Sequence, residues 1–200
     1  MEPGLNVQVL NAGDDASTPL TGDELAGLIP SWIIGRHELN EAEQDNILAA
    51  MLWAARQHRR NLLDERFLCE LHKRMLGKVW RWAGVYRTTA RNIGVDAWQI
   101  RTELPLFLDD ARFWIANNVY KPDELAVRFH HRLVWIHPFP NGNGRHSRLM
   151  ADLLVMRLGA KRFTWGSAGL AAGDVRNQYI GALRKADAHD IGDLLTFARS

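Results

Sequence analysis

Residues 137–148 read His-Pro-Phe-Pro-Asn-Gly-Asn-Gly-Arg-His-Ser-Arg and lie between two apolar segments of helical spacing. Gly142, Asn143 and Gly144 therefore stand directly before a helix, where glycine-turn N–H groups can converge with the unbonded N–H groups of the first helical turn. Such a nest binds anions. Glycine admits positive φ and puts no side chain between backbone and ligand. Arg145 and Arg148 share a helix face and offer fork-shaped donors that fit phosphate oxygens. His137, ending the preceding segment, titrates near neutrality and has the reach of a general base, a role worth ~10²–10⁴-fold in rate. Together these residues suit a polyphosphate beside a proton acceptor. Singly, each has a plainer reading: a helix-connecting turn, solvated arginines, a structural histidine. The lysine before Ser or Thr that a P-loop needs is absent.

Positioning those residues falls to amphipathic helices. Apolar residues at Leu39, Ile47, Leu48, Met51 and Leu52 predict a helix over 38–57, and Asp64 precedes another through Phe67, Leu68, Leu71 and Met75. Leu104 to Ile115 marks a third, and Pro122 with Asp123 opens a fourth carrying Leu125, Phe129, Leu133 and Ile136. Beyond the motif, Leu149 to Met156 restarts the pattern and Gly159 stops it. Helices over 174–183 and after Asp190 complete a set of roughly seven. Residues 85–100, rich in β-branched and aromatic side chains around Gly94, predict a short hairpin. Tyr86 and Trp98 within them read as core or hinge residues. Residues 1–22, with Pro3, Gly4, Gly13, Pro19 and Gly22, read as a tail, leaving 23–200 as one domain.

Twenty-five Lys and Arg against 23 Asp and Glu give a formal charge of +2, which argues against duplex DNA as the main partner. A lone cysteine, Cys69, cannot close an intrachain disulfide and fits a reducing compartment. Neither a secretion signal nor an apolar run of about 18 residues is evident, so a cytoplasmic protein without a membrane span is expected.

The twelve residues from His137 to Arg148 resemble the signature of the Fic family, His-x-Phe-x-(Asp/Asn)-Gly-Asn-Gly-Arg-x-x-Arg, at every fixed position. Trp82-Ala83-Gly84-Val85-Tyr86-Arg87 and Asn92-Ile93-Gly94-Val95 resemble the family's flap. Glu38 to Gln44 with Asn46-Ile47 looks like the "mobile mystery protein B" branch, and the likeness covers residues 20 to 185. The resemblance implies a mainly α, Fic-type helical bundle with a short β-hairpin flap. It implies protein adenylylation, in which AMP passes from ATP to a Ser, Thr or Tyr hydroxyl of a target and pyrophosphate leaves. His137 would be the base. Gly142, Asn143 and Gly144 would hold the α-phosphate through their backbone, Arg145 and Arg148 the outer phosphates, and Tyr179 the adenine side. Asn141 takes the place of the Mg²⁺ contact, as an amide where many active members have the stronger carboxylate ligand. Phe139 would anchor the loop in the core, and Asn92, Ile93 and Gly94 would dock the target by strand addition. Gly144 stands where phosphotransferases of the Doc type have lysine.

Many relatives are silenced by a helix whose glutamate pairs with the second motif arginine. Glu43 is the nearest candidate here, pairing with Arg148, although Glu38, Glu41, Glu43 and Asp45 together read more plainly as a solvated acidic face. The branch resemblance further implies a small helix-turn-helix partner in a toxin–antitoxin-like arrangement. Competing readings are a nucleotide-binding regulatory module without transferase activity, and a phosphotransferase or an enzyme removing AMP at the same site. A metal centre of His130, His131, His137 and His146 lacks ligand spacing, and nucleic-acid binding through Arg56, His58, Arg59 and Arg60 rests only on a basic helix end.

Overall fold

A computed structural model describes residues 21–91, 93–167 and 172–200. Its helices are α1 (Gly22–Leu25), α2 (Arg36–Ala55), α3 (Glu65–Leu76), α4 (Ile100–Ala116), α5 (Pro122–Ile136), α6 (Asn143–Arg157), α7 (Ala172–Asp187) and α8 (Gly192–Arg199). Local chemistry sets their ends. Asp64 caps α3 by accepting the Arg66 N–H at 2.9 Å, and Pro122 opens α5 with Asp123 and Glu124 in its first turn. The short α1, absent from the periodicity, carries a capping box between Thr21 and Glu24.

Helices α5 and α6 pack on each other at the centre, with α2 on α3 and α7 on α8 flanking them. The central pair is buried on two faces. Leu125, Phe129, Leu133 and Ile136 of α5 and Met150, Leu153 and Leu154 of α6 join one core with Phe67, Leu71 and Phe107. Ala126, Val127, Ala151 and Val155 face the other way, into a second core with Phe163, Ala182 and Leu194. Burial on both sides fixes the two helices rigidly, and with them the six-residue loop that joins them.

The β-hairpin expected over 85–100 is not formed by its described residues. Asp96 instead caps a 3₁₀ turn at Ala97–Gln99 that runs into α4. The reason is Arg87, whose buried guanidinium takes carbonyls that strand pairing would have used. Trp98, expected in the core or a hinge, is exposed. The β pairing found among the described residues is one antiparallel bridge, Leu28 to Trp80, which lays the chain after α1 beside residues 79–82. No helix of the described residues is long and apolar enough to cross a membrane.

Besides His137, three histidines are buried in this framework. His72 Nδ1 accepts the Gly84 N–H at 2.9 Å, so Nε2 carries the proton and donates to the Asn141 carbonyl at 3.0 Å. The Nε2 of His146 donates to the Leu68 carbonyl at 3.1 Å, and that of His130 lies 3.0 Å from the Tyr179 hydroxyl. Burial lowers all three below the ordinary value of 6.5: His72 well below, His130 to about 3, His146 to about 4. In that window the unfolded chain binds protons that the fold refuses. The histidine contribution to stability is therefore complete above about pH 6.5 and lost as pH falls toward 4. Thermal melts from pH 7 down to pH 4 should show a falling midpoint; a flat profile would contradict neutral core imidazoles.

Candidate active site

The loop between α5 and α6 is closed by one side chain. Asn143, buried, accepts the Phe139 N–H at 2.9 Å and donates to the Phe139 carbonyl at 2.8 Å. Phe139 is fully buried, its ring stacked on His72 at 3.7 Å and edge-on to His146. His72 also holds the Asn141 carbonyl, so one histidine braces the loop at two points. Gly142 then turns with φ +77°, where a Cβ would come within 2.6 Å of Leu76 Cδ1. Only glycine fits there.

With no side chain capping α6, the N–H groups of Asn143, Gly144 and Arg145 precede its first intrahelical bond, His146 N–H to the Gly142 carbonyl. They form the positive end of the helix. The Asn143 amide is consumed inside the loop, leaving its backbone N–H for a ligand. Above Gly144 the space is open, since a Cβ would meet nothing nearer than the Tyr179 hydroxyl at 3.8 Å. That hydroxyl is bonded to His130, and burial raises it to about 12.

The two arginines diverge. Arg148 lies over the Tyr179 ring, 5.3 Å from its centre. Arg145 pairs with Glu43 of α2 at 2.5 Å, which corrects the expected partnership of Glu43 with Arg148. Arg145 stands in the first turn of α6, facing α2, whereas Arg148 one turn on faces α7. Glu43 is no solvated residue: it is 6% exposed and its other oxygen accepts the Trp80 indole N–H at 2.6 Å.

His137 terminates α5 in the left-handed conformation, φ 53°. It is buried, and neither ring nitrogen has a partner of hydrogen-bond geometry. Burial, then the charges of Arg87 and Arg91, lower it to about 4 against the opposing Val134 carbonyl, so the imidazole is neutral at pH 7. Gly94, at φ +94°, packs on it: a Cβ there would lie 2.5 Å from His137 Cβ. Ile93 is exposed beside it, and Asn92 lies outside the described residues. Arg91 is buried in an ion pair with Glu24 of α1.

The structure thus gathers His137, Gly142–Arg145, Arg148, Tyr179 and Gly94 around one loop and brings Glu43 to it. His130, His131 and His146 hold separate partners, Tyr179, Asp187 and Leu68, so the histidine metal centre is not assembled. Among the described residues no group of three or more His, Cys, Asp or Glu could hold a metal ion. Asn141 offers one carbonyl oxygen, at present accepting the Gly142 N–H at 2.6 Å. A cation here would need most of its ligands from a bound phosphate. Sequence reasoning missed the roles of Arg87, His72 and Trp80, none of which carries a periodic or spacing signal.

The profile of the Fic/DOC family matches residues 62–155. A protein adenylyltransferase Fic of Drosophila grimshawi is 32% identical over 134 residues, covering 65% of this chain and 26% of its own. The chain spans about a quarter of the length of such curated relatives. Residues 134–508 of Fic-1 from Caenorhabditis elegans superpose with a TM-score of 0.63 at 26% identity, over 88% of this chain and 51% of that one. BepC of Bartonella tribocorum, solved with AMPPNP bound, superposes with a TM-score of 0.68 over 90% and 97% of the two chains; at 18% identity it speaks for the fold alone. Signature loop, profile and superposition agree, and the chain carries a domain of the Fic/DOC family.

Proposed function

We propose that the chain is a protein adenylyltransferase, moving AMP from ATP to a hydroxyl side chain of a target protein. The observation that carries this reading is a buried His137 imidazole, neither ring nitrogen in a hydrogen bond, at the start of the loop that leads into the α6 nest. A target hydroxyl oxygen attacks the α-phosphorus and gives its proton to an imidazole nitrogen of His137. The bond from that phosphorus to the bridging oxygen breaks, and pyrophosphate carries off the electron pair. The Asn143, Gly144 and Arg145 N–H groups neutralise charge growing on the α-phosphate, while Arg145 and Arg148 hold the outer phosphates. Triphosphate charge offsets Arg87 and Arg91 at the imidazole and so raises its basicity toward the working range. Mg²⁺ arriving with ATP would supply further charge neutralisation, with Asn141 as its protein ligand.

A target strand would lie along Ile93 and Gly94, the flap residues beside the base. The open space at Gly144 suits a phosphate at that point and favours adenylyl over phosphoryl transfer. Glu43 would hold the resting state, because a guanidinium tied to a buried carboxylate is not available to a phosphate. The same carboxylate is the acidic group that removal of AMP from a modified target would require. The motif after Glu38 supports membership of the mobile mystery protein B branch, with a small helix-turn-helix partner and a cytoplasmic, toxin–antitoxin-like role.

Purified protein incubated with lysate and ATP should label proteins from the α-phosphate and not from the γ-phosphate, with His137→Ala losing the signal. Labelling from γ alone would establish phosphotransfer, and labelling that survives in His137→Ala would remove the proposed base. Glu43→Gly should raise automodification about tenfold or more, corresponding to release of an interaction of roughly 1.4 kcal/mol. Glu43→Gln, which keeps an acceptor for Trp80, should behave alike; unchanged activity in both would dismiss Glu43 as a brake.

A further inference from the structure

A helix leaves its last carbonyls without donors, and at the end of α5 those of Ile136 and His137 are buried beside the base. Arg87 supplies the donors. Its Nε donates to the His137 carbonyl at 2.6 Å, Nη2 reaches the Ile136 carbonyl at 3.5 Å and also donates to that of Val95, and Nη1 donates to Thr89 at 2.9 Å. The Arg87 backbone N–H adds a bond to the Pro138 carbonyl at 2.9 Å. One residue thus bonds the carbonyls of three consecutive residues centred on His137 and both arms of the flap.

Burying a guanidinium is costly unless its donors are filled, and placing it at a helix C-terminus puts it at the negative end of the dipole. That position opposes a specific strain. His137 is a non-glycine residue in left-handed conformation, a strained state that persists only where neighbours determine it. Gly94 completes the lock, since a side chain there would collide with His137 Cβ and crowd Arg87 Nη2 at 3.0 Å. We propose that Arg87 is the positioning residue of this site, holding His137 in its left-handed turn and fastening the flap to the same point. Its catalytic consequence rests on the reading of His137 as base; the structural one does not.

The charged groups acting on the imidazole are Arg87 and Arg91, the latter paired with Glu24 of α1, so removing one cation should ease protonation of His137. The test uses full-length protein with three substitutions: Arg87→Lys keeps the charge without the fork, Arg87→Met removes the charge, and Gly94→Ala presses on the base while leaving the guanidinium. All three should lose α-phosphate labelling by about a hundredfold, the scale of a 1 Å misplacement. Their affinity for ADP, set by the α6 nest, should stay within about threefold of wild type. By NMR, the His137 ring should titrate at higher pH in Arg87→Met than in wild type, toward the ordinary 6.5, while Arg87→Lys moves it less. Full labelling by Arg87→Lys and Gly94→Ala, or the same His137 titration in Arg87→Met as in wild type, would overturn the inference. Absence of labelling in both wild type and Glu43→Gly would sink the transfer reading instead, and the ring titration would still decide the role of Arg87.

Discussion

The pair of hydrogen bonds between Asn143 and Phe139 is the constraint on which the rest of the site depends. By tying both polar groups of one peptide residue to a side chain four positions on, it folds the α5–α6 connection back into the core. Phe139 then has no route but inward, onto His72, and the N-terminus of α6 has no cap but an arriving ligand. Because α5 and α6 are each buried on two faces, the loop cannot relax by moving either helix. The nest is therefore preformed, which is what electrostatic catalysis of phosphate chemistry asks of a protein.

Around that loop the molecule accumulates cations and gives each a different partner. Arg145 has the Glu43 carboxylate, Arg91 has Glu24, Arg148 has the Tyr179 ring, and Arg87 has only carbonyls. Both carboxylates come from the chain N-terminal to the family match, from α1 and α2. The N-terminal helices thus contribute charge as well as packing: one carboxylate holds Arg145 and the other holds Arg91. A polyphosphate would have to compete for the first and could leave the second undisturbed.

Much of this was legible in the sequence because it follows from spacing. The apolar periodicity marks the α5 and α6 segments, Pro122 marks the start of α5, and Gly142 to Gly144 mark the start of α6. What spacing does not carry was misread. Arg87 falls within the stretch expected to form a hairpin, and only the fold reveals that the chain wraps around its side chain instead of pairing with itself. Glu43 sits in an acidic run that looks solvated, yet the packing of α2 on α3 turns it inward to Trp80. Its choice of Arg145 over Arg148 depends on which way a helix face points, which a spacing of three residues leaves open.

If the chain is an adenylyltransferase, the N-terminus of α6 holds the phosphates of a nucleotide within reach of His137. Titrating isotope-labelled protein with ATP and Mg²⁺ while following backbone amide resonances tests it directly. The largest shifts are expected at the N–H groups of Asn143, Gly144 and Arg145, with the Tyr179 and Arg148 environments moving with them. Saturable shifts confined to another part of the molecule, with those three amides unmoved, would contradict it.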